Sequence, residues 1–381
     1  MCFRNGVYDL ICQRHVRPFA AALLVALLIP APAVAANPGW EHPGYDAEDS
    51  FYNPNESKIN ASTVGTLTRR WSVALRRQEE PSCSGPSAPV VAGGSVLATD
   101  EKGISSYSAL TGRLTWSFDW TDPGDSHTPS IAVSDGVVVL GSGGCNSASD
   151  PDGRLVALDL TSGRVKWRHE LDPPVGSFVV DRGMIVVSGE SSSDEAVTVG
   201  YRAADGRAMW QKPGYESSSV SSAGRILVTK GRSTSAISVT TGAVIWTQPV
   251  SLYAESATPT RFLVTDAATL RLVDAATGAL LWVATGQQSK LLATDGRRIY
   301  RAANRTVSAL DLRDGRTIWT RTLPVPASQP VRAGGLLYTG NAVLSAASGA
   351  VVKRHDGASV VIGGHLYSVA DGRLAAYAPR P

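Results

Sequence analysis

Residues 157–167 read ALDLTSGRVKW and residues 309–319 read ALDLRDGRTIW, almost the same letters more than a hundred positions later. The pattern returns as YSALTGRLTW (107–116), YRAADGRAMW (201–210), AISVTTGAVIW (236–246) and LVDAATGALLW (272–282). A seventh copy, VLSAASGAVVK (343–353), ends in Lys353 where the others carry Trp. Successive final positions, counted from Trp116, are 51, 43, 36, 36, 37 and 34 residues apart. Recurrence at this period marks a repeat architecture, and for an all-β repeat of this length it points to propeller blades.

The chemistry of one unit supports that choice. Before the turn, small apolar and polar residues alternate, as in a strand with two unlike faces. A hydroxyl or carboxylate side chain and then Gly112, Gly163, Gly206, Gly242, Gly278, Gly315 or Gly349 reverse the chain, the glycine accepting positive φ. Four residues on comes Trp116, Trp167, Trp210, Trp246, Trp282 or Trp319. A large flat side chain at a fixed offset suits a wedge between neighbouring sheets. Two further β-rich runs precede each motif, as PSIAVSDG and VVVLGSG do in the second unit. Each unit therefore reads as four strands, A to D, with the Trp on outer strand D.

The ends of the chain complete the count. LTRRWSVAL (67–75) is a strand bearing Trp71 with no partners, and residues 358–377 offer three strands without a fourth. Joined, they close a ring of eight blades and leave no open edge between first and last. Residues 1–35 read as a secretory signal: Arg14 and Arg17, the apolar run AAALLVALLI, then Ala33 and Ala35 before the cut. The apolar run is about half the roughly 20 residues that a membrane span requires. No Cys follows it, so no lipid anchor is expected. Residues 36–66 form a lead-in and 67–381 the propeller. The expected location is outside the cytoplasm, secreted or in the envelope.

Composition bounds the function. The chain has 381 residues, 43% hydrophobic and 18% charged, with formal net charge +3 and scattered basic residues, so no nucleic-acid footprint is present. Cys83 and Cys145 are the cysteines left after the signal, and an exported pair suggests a disulfide. Strand order places both on one face: D-to-A and B-to-C connections share it, and the two cysteines fall in such loops of adjacent blades.

These repeats resemble the tryptophan-docking motifs of quinoprotein propellers, enzymes that bind pyrroloquinoline quinone. The lead-in strengthens the resemblance, with Trp40, Gly44, Asp46, Tyr52, Pro54, Ile59, Asn60, Val64, Leu67 and Trp71 in the order of that family's opening segment. The resemblance implies an eight-bladed propeller of four-stranded antiparallel sheets. Those dehydrogenases also use a ring of two adjacent cysteines, acidic and amide calcium ligands and an Asp base, none of which is matched here. No cofactor or metal is therefore expected; the quinone with calcium belongs to the alternative of a divergent oxidoreductase acting on alcohols or sugars. A second alternative is a role like that of the propeller lipoprotein that helps assemble outer-membrane proteins.

No hydrolase, zinc-protease, phosphate-loop or C-x-x-C motif occurs. Asp46, Glu48 and Asp49 read as an acidic surface loop, and Asp150 and Asp152 as a turn. The ligand face shared by the cysteine loops would carry Asp125, His127, Tyr215, Glu216, Lys230, Arg232, Tyr253, Glu255, Gln287 and Gln329. Such residues suit a protein, peptide or glycan partner. The sequence thus predicts a monomeric, exported, non-catalytic binding or scaffolding propeller.

Overall fold

The computed structural model describes residues 39–145, 152–191, 195–266, 269–285, 289–354 and 359–380. The signal segment, Asp150, Gln287 and His355 lie outside the described residues. Eight antiparallel four-stranded sheets are arranged as blades, that of blade 7 joined by a fifth, parallel strand, Tyr52–Asn53. Blade 1 runs from inner strand Val90–Ala92 through Ser95–Thr99 and Gly103–Ser108 to outer strand Leu114–Asp119. Blades 2 to 7 repeat this order, their outer strands being Val165–Leu171, Ala208–Pro213, Val244–Gln248, Leu280–Thr285, Thr317–Thr322 and Val351–Arg354. Blade 8 is composite. Strands Ser359–Ile362, His365–Ala370 and Arg373–Pro379 come from the C-terminal end, and Leu67–Ala74 supplies the fourth, with Trp71 opposite Ala376. Among the described residues no helix is long and apolar enough to cross a membrane.

The interior is a circle of interfaces between blades, each strand turning one face to either neighbour. Val138, Leu140 and Leu158 of blade 2 pack with Val90, Leu97 and Ile104 of blade 1. Leu263, Leu270 and Leu272 of blade 5 meet Leu292, Ile299 and Leu310 of blade 6 in the same way. Alternating strands with two apolar faces are what this arrangement demands.

The repeated motif is the joint of that circle. Each Trp lies over the turn glycine of the following blade, and its indole N–H donates to the carbonyl three residues before that glycine. Trp116 donates to Leu160 at 2.9 Å, Trp210 to Val239 at 2.9 Å and Trp282 to Leu312 at 2.9 Å. Trp71, Trp167, Trp246 and Trp319 do the same with Ala109, Ala203, Ala275 and Ala346. The glycine is required twice. Gly315 has φ of 72°, and a Cβ there would lie 2.9 Å from the Trp282 ring. Aspartates shape the same turns, Asp159 accepting from the Ser162 amide at 2.9 Å.

Lys353 has a structural reason. Trp319 still docks on Gly349 of blade 7, but blade 8 has no hairpin between its third and fourth strands, because these come from opposite ends of the chain. In its place stands the 3-10 turn Val64–Thr66, and Lys353 donates to the carbonyls of Val64 at 3.1 Å and Gly65 at 3.3 Å. An ammonium group meets those two carbonyls, and Gly65 in this turn lacks the left-handed backbone and the ring contact of the hairpin glycines.

Trp282→Phe, which keeps the stacking and loses the donor, should cost about 1 kcal/mol. Trp282→Ala, which also opens a cavity, should cost about 2–4 kcal/mol. Gly315→Ala should fall between them or beyond, since it combines a left-handed backbone with a displaced ring. Urea titrations should show these losses as lower midpoints at unchanged slope.

Candidate functional site

The two ends of the central channel are built differently. At the end bearing the A-to-B turns, the lead-in forms a strap that visits the inner strands in ring order. Trp40 and Val91 exchange both backbone hydrogen bonds, at 2.7 and 2.9 Å. The amides of Val133, Ser221, Ala257, Thr294 and Arg332 then donate to the carbonyls of Glu41, Ala47, Glu48, Ser50 and Phe51, at 2.7–2.9 Å. Asn53 donates to Val361 at 2.8 Å, and Glu56 accepts from Gly364 at 2.9 Å. The strap thus hydrogen-bonds seven of the eight blades, pairing inner edges that nothing else covers. Tyr45, Asp49 and Phe51 adopt φ of 84°, 46° and 50°, strained values that the surrounding bonds impose.

This placement corrects the surface reading of the acidic triplet. Ser50 is buried and binds Asp46 through both its amide, at 3.0 Å, and its hydroxyl, at 2.7 Å. Burial, together with the neighbouring Asp46, pushes the Asp49 carboxyl up to about 8 and that of Glu48 up to about 7. Burial drives His42 down to about 4, so its ring is neutral near neutral pH. The sequence hid this because acidic residues near glycines and prolines usually signal a solvated loop. Only the ring of inner strands supplies the walls.

Above the strap lies a cavity of about 230 Å³, bounded by His42, Asp46 and Asp49 below and by Ser130, Ser177, Phe178 and Ser219 of three inner strands. Its donor set does not fit pyrroloquinoline quinone. That cofactor carries three carboxylates, and the lining brings carboxylates and hydroxyls with no Lys or Arg. Among the described residues no group of three or more His, Cys, Asp or Glu side chains has metal-binding geometry.

The opposite face carries the unrepeated loops. Cys83 and Cys145 are joined in a disulfide between adjacent blades, with Cα atoms 6.4 Å apart. Asp125 serves this loop pair, accepting from the Cys145 amide at 2.9 Å. Gln329 is also structural, its amide donating to Leu292 at 2.6 Å across two blades. His127 stands exposed nearby.

Tyr215, Glu216, Lys230 and Arg232 come together at blade 4. The Lys230 ammonium lies 5.5 Å from the centre of the Tyr215 ring, and Lys212, absent from the sequence-based set, lies 5.7 Å from the same ring. Gly214, at φ 76°, lets Lys230 lie across the loop, since a Cβ there would be 2.8 Å from its Nζ. One blade on, Tyr253 occupies the equivalent position just before an inner strand. Its hydroxyl is 3.2 Å from Ser219 Oγ, and Lys290 approaches its ring at 5.6 Å while pairing with Glu255 at 3.3 Å. The sequence signal for Lys212 is its place three residues before Tyr215, whereas Lys290 lies one connection beyond Tyr253 and had no local signal.

Charge divides this face. Glu79, Glu80, Asp122, Glu170, Asp172, Glu190 and Glu195 are exposed on loops and strand ends of blades 1 to 3. Lys230, Arg232, Lys290, Arg305 and Arg354 are exposed on those of blades 4 to 7, and half-buried Lys212 stands beside them near the end of blade 3's outer strand. Arg77 on the acidic side, and Glu216 and Asp266 on the basic side, are exceptions, Asp266 being paired with Arg271. A groove of about 440 Å³ lies in the acidic half, floored by Val187, Val199 and Tyr201 beneath Pro173 and Pro174 and edged by Glu170, Asp172 and Glu195.

Comparison with known proteins agrees with this architecture. The family model described as outer membrane protein assembly factor BamB matches residues 100–258 and 203–379. The dehydrogenase subunit of a quinone-type alcohol dehydrogenase from Gluconacetobacter polyoxogenes is 31% identical over 163 residues, 39% of this chain and 20% of that one. BamB from Bordetella pertussis is 29% identical over 175 residues, 45% of this chain and 40% of that one. The chain therefore matches less than half the length of these relatives. Among solved structures, BamB from Moraxella catarrhalis superposes with a TM-score of 0.58 at 18% identity, over 82% of this chain and 99% of that one. Quinohemoprotein alcohol dehydrogenase from Comamonas testosteroni gives 0.66 at 12%, over 90% and 80%. At such identities the likeness shows the fold.

Two outcomes are expected. The native state keeps protons on Glu48 and Asp49 that an unfolded chain, with ordinary values of 4.5 and 3.8, has already lost. Their contribution is complete below about pH 4 and is lost as pH rises through about 7 to 8. Glu48→Gln with Asp49→Asn should therefore gain on the parent in melting temperature from about pH 4 upward, the gap levelling off above about pH 8. Separately, reduction of the Cys83–Cys145 bridge, which spans 62 residues, should cost about 4 kcal/mol on the chain-entropy account. Melting with and without reductant should show the drop, and Cys83→Ser with Cys145→Ser should be insensitive to it.

Proposed function

Because the chain belongs to the PQQ-like propeller family, the one whose model is described as outer membrane protein assembly factor BamB, we propose that it is an exported, non-catalytic docking module. It acts in the cell envelope or outside the cell, and it binds another protein through the face that carries the disulfide-linked loops. The observation that carries this reading is the asymmetry of the two channel ends. One is closed by the strap over a cavity whose carboxylates do not suit a tricarboxylate cofactor. The other presents unrepeated loops with exposed Tyr253, Lys230 and Lys290 around the half-buried Tyr215. Tyrosine, with a rigid apolar ring and a polar tip, is enriched where proteins bind one another. The Arg14-to-Ala35 pattern supports export, and a disulfide suits an oxidising compartment. The described chain reads as a monomer, each blade finding its partner within the ring.

A second reading, a divergent quinone-dependent alcohol or sugar dehydrogenase, is favoured by the 31% identity to a dehydrogenase subunit. Purified protein incubated with the quinone and calcium should show neither bound-quinone absorbance nor dye-linked oxidation of alcohols or sugars; turnover would favour the dehydrogenase. A photo-crosslinking residue at Arg232 should yield a protein adduct in native envelopes, whereas one at Arg316, on the opposite face, should not. Equal labelling at both positions would remove the docking reading.

A further inference from the structure

We propose that the Lys212–Tyr215–Lys230 cluster of blade 4, extended by Arg232 and Tyr253, is the docking site for a short acidic segment of a folded partner protein. This deepens the docking reading given above and rests on it. Two ammonium groups lie 5.7 and 5.5 Å from the centre of one tyrosine ring. Neither makes an ion pair among the described residues, whereas Lys290, over the next tyrosine, is paired with Glu255 at 3.3 Å. The ring attracts each cation by about 0.5–1 kcal/mol at an exposed site, and it does not neutralise them. Two like charges held around one ring therefore gain when a carboxylate approaches. Glu216, the exposed carboxylate at this place, pairs with neither lysine.

The surroundings select the kind of anion. The patch offers mainly donors, the ammonium and guanidinium groups of Lys212, Lys230 and Arg232, beside the apolar faces of Tyr215 and Tyr253. Recognition of sugar hydroxyls would call for free amide and carboxylate acceptors beside the rings; the acceptors nearby are Glu216, Ser219 and Glu255, the last already paired with Lys290. A long polyanion is disfavoured for another reason. Crossing the channel mouth, it would run onto the exposed carboxylates of blades 1 to 3. A folded partner with an acidic segment over blades 4 and 5 and a basic surface over blades 1 to 3 meets both halves. Complementarity of this kind also fixes orientation and raises the association rate.

The test uses the exported chain and a fluorescein-labelled oligoglutamate peptide, followed by anisotropy. Binding should saturate and weaken with salt. Lys212→Glu with Lys230→Glu should lower the affinity by about tenfold or more. Lys230→Glu alone should give part of that loss, and it stays informative if the double variant fails to fold. Arg313→Glu with Arg316→Glu, an equal charge change at side chains 82% and 87% exposed on the opposite face, should change it less than about threefold. Tyr215→Leu should weaken binding with Lys212 and Lys230 intact, as loss of the ring's ordering requires. Equal losses from the two double variants, no loss from either lysine variant, or tighter binding of polygalacturonate than of the peptide would each overturn the proposal. Crosslinking from Arg232 to a protein, with peptide binding insensitive to the lysines, would defeat this proposal and leave the docking reading standing.

Discussion

A tryptophan ring laid on a glycine of the next blade is the contact on which this molecule depends. Each blade has too little apolar surface to form a core of its own, and its two faces are buried only by its neighbours. The contact sets the spacing between neighbours, and its N–H···O bond sets the register. It also explains why the glycines are fixed in place. Gly112, Gly163, Gly206, Gly242, Gly278, Gly315 and Gly349 each combine a left-handed backbone with a ring where a Cβ would be.

The same rule accounts for the place where the motif fails. Ring closure joins strands from opposite ends of the chain, so one hairpin of the series cannot exist. Its left-handed turn glycine is missing, and the preceding tryptophan is replaced by Lys353, whose ammonium caps the carbonyls of Val64 and Gly65 found there. Arg76, just past the closing strand, ties the seam to blade 1 by binding Asp100 and Asp119. The joint from blade 7 to the closing blade is thus polar where the others use stacking, and the joint from the closing blade to blade 1 combines the Trp71 contact with these ion pairs.

With the scaffold set by repetition, the differences between the two faces carry the function. The strap closes one end, satisfies the inner edges and encloses carboxylates that stay protonated well above their usual range. The other end keeps the long and irregular connections. There a disulfide restrains the acidic side, and lysines gather round tyrosines on the basic side. Family membership is common to binding modules and oxidoreductases, so a functional reading must come from these loops and not from the blades.

The sequence by itself determined the propeller, the number of blades, the strand order and the closing partner, because the period of the motif and the orphan strand bearing Trp71 are local patterns that recur. It also placed Cys83 and Cys145 on one face, since strand order alone sorts connections between the two ends. It did not determine that Asp46, Glu48 and Asp49 are half-buried beneath the inner strands, nor that Lys212 joins Lys230 over one ring. Nor did it show that Asp125 and Gln329, read as ligand residues, are tied into the frame. Burial of the strap's side chains arises from segments up to hundreds of residues apart, and the partnerships of Lys212, Asp125 and Gln329 from packing of one blade on the next. A non-repeating contact of that kind leaves no periodic trace in the chain, and the tertiary structure alone decides it.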